Sequence, residues 1–130
     1  MITGVYETVL YCKNIASAVS FYRDVLGLPL LQPPTEYSAV FRLSEQAVLL
    51  LFDPTVSVRT DRGVPAHGAA GAGHVALAVS PGTLAEWRQR LAGQIEAELT
   101  WEPGGRSIYV RDPAGNSVEL VEGQVWRAKG

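Results

Sequence analysis

A strand–helix–strand order that occurs twice constrains this chain more than any other feature. In the first half, "VYETVLYC" (5–12) is rich in β-branched and aromatic residues and predicts a strand. Asn14 stands where a helix N-cap belongs. Ile15, Ala18, Val19, Tyr22, Val25 and Leu26 then recur on one stripe at helical spacing, up to a stop at Gly27. "PLLQPP" (29–34) is a short extended piece broken by prolines. "EYSAVFRL" (36–43) alternates, with Tyr37, Ala39, Phe41 and Leu43 on one face, and "AVLLLF" (47–52) is an apolar run short enough for a buried strand.

The second half repeats that order. "GHVALAV" (73–79) is the strand, Ser80 a candidate cap with Pro81 at the first helical position, and Leu84, Trp87, Arg88 and Leu91 recur at helical spacing before Gly93. "IEAELTW" (95–101), "RSIYVR" (106–111) and "NSVELVE" (116–122) follow as strands, separated by the turn signals "EPGG" (102–105) and "DPAG" (112–115). Two βαβββ units of about 55–60 residues predict an α+β fold, a tandem repeat in which two curved mixed four-stranded sheets enclose a cavity suited to a small molecule. Unit one spans about 4–53, a Gly-, Ala- and Pro-containing connector about 54–72, and unit two about 73–122, all within a single domain of 130 residues.

Composition narrows the partners. A net charge of −2 with scattered Lys and Arg argues against a nucleic-acid or anionic-membrane surface. Cys12 is the only cysteine, so no disulfide forms within the chain, and a reducing, cytoplasmic setting is expected. No apolar stretch approaches the roughly 18–20 residues of a membrane span.

"FYRDVLGLPL" (21–30), the lead into "GAGHVALAV" (71–79) and the terminal "YVRDPAGNSVELVE" (109–122) resemble the vicinal oxygen chelate superfamily. That group includes glyoxalase I, extradiol dioxygenases, fosfomycin-resistance enzymes, methylmalonyl-CoA epimerase and bleomycin-binding proteins. The resemblance implies a divalent metal held on the inner sheet faces by Glu7, His74 and Glu119, with Glu7 alternatively a general base. The fourth ligand position of glyoxalase I falls within Leu49–Leu51, where leucine cannot bind a metal. A three-ligand set is closer to the dioxygenases and the fosfomycin-resistance enzymes.

The chemistry of the three residues agrees. Val118 and Leu120 flank Glu119, so if they pack under one face the carboxylate faces the other. An unpaired carboxylate in an apolar cavity is costly, and a metal removes that cost. Two carboxylates and an imidazole suit Mn²⁺, Fe²⁺, Ni²⁺ or Zn²⁺, with open positions for two adjacent substrate oxygens. His67, on the connector, is either a loop histidine or a lid contact. Tyr37, Phe41, Trp101 and Tyr109 are candidate pocket linings, and Arg106 a candidate contact for an anionic substrate. The expected function is a metal-dependent lyase, isomerase or dioxygenase acting on a small oxygenated metabolite, as a homodimer. The alternative is a metal-free protein that binds an antibiotic or another small molecule.

Overall fold

The computed structural model describes residues 1–102 and 104–126, and its contacts divide the chain into two compact units. The first comprises Met1–Gly73 together with Asp112–Gly115, and the second His74–Arg111 with the residues from Asn116 onward. Pro103, in the turn expected at 102–105, lies outside the described residues.

In the first unit, β1 (Glu7–Tyr11) runs parallel to β3 (Val48–Phe52), which pairs antiparallel with β2 (Ser38–Arg42), in the order β1-β3-β2. The expected fourth strand is reduced to one bridge, Leu30 to Phe41. The prolines at 29, 33 and 34 offer no N–H for a ladder there. Helix α1 (Ile15–Ser20) begins where the Asn14 side chain accepts the Ser17 N–H, a cap worth about 1 kcal/mol. It continues as a π-helical turn over Phe21–Val25 and ends at Gly27, which adopts the left-handed φ of 75°. Leu10, Ala39, Phe41, Leu49 and Leu51 are buried on one sheet face, along with Ala18, Val19 and Tyr22 of the helical segment.

The connector is not wholly irregular. Asp53 caps a short helix, α2 (Pro54–Ser57), with Pro54 in its first turn.

In the second unit, β4 (His74–Ala78), β5 (Ala97–Thr100), β6 (Arg106–Arg111) and β7 (Ser117–Glu122) form a mixed sheet in the order β4-β7-β6-β5, with β4 parallel to β7. Helix α3 (Leu84–Arg90) starts later than the Ser80–Pro81 signal suggests, with Thr83 as its N-cap residue. Gly82 takes φ 82°, which is incompatible with a right-handed helix and holds 80–83 in a turn. Val75, Val118, Leu120, Ile108 and Val110 are buried on one face of the sheet, and Leu84 and Leu91 of the helical region are buried too. Among the described residues no helix is long and apolar enough to cross a membrane.

The turn at 112–115 completes the first unit. Asp112, itself buried, accepts the Ala114 N–H at 2.9 Å and the hydroxyl of fully buried Tyr22 at 2.8 Å. Burial and the Asp112 charge push the Tyr22 hydroxyl far above its ordinary range. Burial, followed by the charges of Asp112 and Asp53, pushes the Cys12 thiol from 9.0 up to about 12. A thiol shifted upward keeps its proton in the native state while the unfolded chain loses one. The stability it contributes is therefore whole below pH 9 and is lost as pH rises towards 12. Two results are expected. An aromatic disulfide reagent at pH 8 leaves native Cys12 unreacted until denaturant is added. Between pH 9 and 12, Cys12→Ala loses stability less steeply than wild type in urea titrations, and parallel slopes would refute the thiol's part in alkaline unfolding.

Candidate functional site

Alternation along the strands of the second sheet separates a covered face from an open one. Opposite the buried Val118 and Leu120 lie His74, Ala76 and Ala78 of β4, all exposed, with Glu119 of β7 and Ser107 and Tyr109 of β6. On this open face Glu119 is nevertheless buried, with 8% of its surface exposed, which makes its carboxylate the unusual feature of the face.

Each Glu119 oxygen has its own neighbour. Oε2 accepts the Ser107 hydroxyl at 2.5 Å, and the same Ser107 oxygen accepts the Trp101 indole N–H at 2.9 Å. Oε1 lies 3.3 Å from His74 Nε2. The other imidazole nitrogen, Nδ1, is 3.0 Å from the Ser117 carbonyl oxygen. A carbonyl only accepts, so Nδ1 carries a proton and Nε2 is left to face the carboxylate. A lone pair on Nε2 and a carboxylate oxygen at this distance repel unless a proton or a cation lies between them. The Tyr109 ring stacks on His74 at 6.3 Å between centroids with an 18° tilt. Burial, then the Glu119 charge and a hydrogen bond to Glu119, raise its phenol above the ordinary range, against a lowering by a hydrogen bond to Ser107.

The second sheet thus brings together four of the residues singled out in the sequence: His74, Glu119, Trp101 and Tyr109. Ser107 and the Ser117 carbonyl were not among them. The alternation in "RSIYVR" places Ser107 beside Tyr109, which is the one sequence signal for it. Arg106 is exposed on the opposite face, the one shared with Ile108 and Val110, and borders a hollow of about 170 Å³ with Arg88 and Glu98. Arg111 is tied to Glu96 at 2.6 Å.

The remaining candidates belong to the first unit. Glu7 is exposed at the start of β1, on the face shared with Val9 and Tyr11. His67 docks on that face: its Nδ1 is 2.6 Å from the Tyr11 hydroxyl, and its ring lies 5.0 Å from Phe52. Between Leu49 and Leu51, both fully buried, Leu50 is half-buried and in register with Val9 and Val40. Phe41 is fully buried, with its ring 5.8 Å from Tyr22. Tyr37 is exposed just before β2 and lines none of the hollows described.

Among the described residues no three His, Cys, Asp or Glu side chains converge as a metal cluster, so His74 and Glu119 stand as a pair. Larger hollows lie elsewhere, about 650 Å³ beside Cys12 and Pro54, about 480 Å³ beside Ile15 and Pro34, and about 330 Å³ beside Glu86 and Trp87.

A family model described as the Glyoxalase/Bleomycin resistance protein/Dioxygenase superfamily matches residues 4–120. The lactoylglutathione lyase of Salmonella typhimurium is 30% identical over 128 residues, covering 89% of this chain and 90% of that protein. The crystal structure of a lactoylglutathione lyase from Agrobacterium tumefaciens superposes with a TM-score of 0.89 at 36% identity, covering 99% of this chain and 100% of that one. A glyoxalase/bleomycin resistance protein/dioxygenase from Nocardioides shares the fold at a TM-score of 0.70 and 24% identity, over 100% of this chain and 91% of its own. The chain, matched by the family model over nearly its whole length, belongs to the glyoxalase/bleomycin resistance protein/dioxygenase superfamily.

Proposed function

We propose that this protein is a metal-dependent enzyme, a lyase, isomerase or dioxygenase, acting on a small metabolite that presents two neighbouring oxygens. Similarity to proteins named lactoylglutathione lyase favours lyase chemistry within that range. The observation that carries the reading is the pairing of His74 Nε2 with Glu119 Oε1 at 3.3 Å, with the tautomer set by the Ser117 carbonyl. A metal-binding histidine characteristically gives its second N–H to a carbonyl or carboxylate, so the residues fit the ion. His74 and Glu119 would hold it. When bound, a divalent ion supplies a Lewis acid that polarises the substrate oxygens. The open sheet face around the pair, with Ala76 and Ala78 exposed, favours cover by a second copy, so the reading includes a homodimer. Sedimentation at micromolar concentration should return a dimer mass, and a monomer mass would remove that part of it.

The decisive experiment is calorimetric titration of metal-free protein with Mn²⁺, Ni²⁺ and Zn²⁺. His74→Ala is expected to weaken binding by about one to two orders of magnitude with an unchanged circular dichroism spectrum. Glu45→Gln, at an exposed turn, serves as the unaffected control.

A second reading is a metal-free protein that binds an antibiotic or another small apolar molecule. The half-buried apolar face of the first sheet, formed by Val9, Val40, Leu50 and Phe52, favours it. Wild-type protein that binds none of the three ions would transfer the assignment to this reading.

A further inference from the structure

Glu119 is the only buried acidic residue of the second sheet, and the way it is held has a direction. The Trp101 indole has one N–H and no acceptor. It points at the Ser107 oxygen, so it occupies an acceptor site there. The Ser107 hydroxyl has a single proton, and the ionised carboxylate can only accept, so that proton goes to Glu119 Oε2. Ser107 is 1% exposed. The chain Trp101 N–H to Ser107 O–H to Glu119 therefore engages Oε2, the Tyr109 hydroxyl is hydrogen-bonded to the same Glu119 and Ser107, and Oε1 lies 3.3 Å from His74 Nε2.

We propose that Ser107, oriented by Trp101, is a positioning residue that makes Glu119 a one-oxygen ligand for the ion beside His74. This rests on the metal reading above. A carboxylate left free to rotate would offer both oxygens to the ion and fill a position that the substrate needs. Hydrogen bonds to a ligating carboxylate also set its orientation, and their loss typically costs 10–100-fold in metal affinity.

The test uses the full-length chain as wild type, Ser107→Ala, Ser107→Thr and Trp101→Phe. In Mn²⁺ calorimetry, Ser107→Ala should bind about tenfold or more weakly. Ser107→Thr, which keeps the hydroxyl, should restore binding to within about threefold of wild type. The visible spectrum of the Co²⁺-loaded protein should change in Ser107→Ala, as the second carboxylate oxygen moves towards the ion, and return in Ser107→Thr. The Trp101 indole N–H resonance of metal-free protein should move in Ser107→Ala, which reads the relay itself. Equal Mn²⁺ affinity and equal Co²⁺ spectra in wild type and Ser107→Ala would overturn the positioning role while leaving the metal reading in place. Absence of metal binding in wild type would remove both. Unfolding of Ser107→Ala would leave the comparison of Ser107→Thr and Trp101→Phe to decide. The former must match wild type, and the latter must weaken binding measurably; equal binding by Trp101→Phe and wild type would then refute the relay.

Discussion

Glu119→Gln is expected to abolish divalent-metal binding, a loss beyond about a hundredfold, without lowering thermal stability. The two halves of that result have one cause. In wild type, Glu119 Oε1 and His74 Nε2 lie 3.3 Å apart. Glutamine keeps the length of the side chain and can still take the Ser107 hydroxyl on its carbonyl oxygen. Its amide nitrogen then donates to Nε2, so a neutral hydrogen bond worth about 1 kcal/mol stands where only an ion or a proton satisfied the pair before. Calorimetry and a thermal scan on the same sample read both halves. Retained metal binding would remove Glu119 from the ligand set. A lowered melting temperature would show that the carboxylate is needed for the fold itself.

Tyr22→Ala is expected to be the most damaging single change to stability, at about 3–5 kcal/mol. Tyr22 is fully buried, with its ring edge-on to Phe21 at 5.1 Å and 5.8 Å from Phe41. Its removal opens a cavity beneath the first sheet and strips a buried carboxylate of a donor. A domain of this kind is stable by only about 5–15 kcal/mol, so the variant would unfold in mild urea. Tyr22→Phe separates the two contributions, because it keeps the ring and should cost about 1.5–3 kcal/mol through Asp112 alone. Urea midpoints with unchanged slopes measure both. If Tyr22→Phe matched wild type, the hydroxyl–carboxylate bond would contribute nothing to the fold.

Strands and helices were legible where one periodicity dominated. The stripe from Ile15 to Leu26, the run at 47–52 and the alternation in "SVELVE" each predicted an element that the structure contains. What periodicity lacks is the identity of the covered face. Alternation joins Phe41 to Tyr37 but does not say that helix α1 lies over Phe41. Local backbone demands were also hidden, as at Gly82, where a left-handed residue delays α3 past a plausible Ser-Pro cap. The candidate site was half visible. Glu119 stood out as a charge between apolar neighbours and His74 as a polar head on an apolar strand. Their meeting depends on register, because Ala76, not His74, is the direct partner of Glu119, and the two side chains approach diagonally across β4 and β7. Ser107 carries no chemical signature of its own, and only the strand pairing gives it a role.

The bond between Tyr22 and Asp112 spans ninety positions of sequence, and it bears on the order in which the molecule is made. The first unit is discontinuous, needing residues 112–115 as well as 1–73. A ribosome adding about 5–20 residues per second delivers Asp112 some seconds after Gly73. Through that interval β1, α1, β2 and β3 can pair, but the Tyr22 hydroxyl has no carboxylate to receive its proton. Closing so long a loop is slow relative to local pairing, so the Tyr22–Asp112 bond is expected to form after the pairing of β1, β2 and β3. The turn that finishes the first unit is thus made only after β4, α3, β5 and β6 of the second.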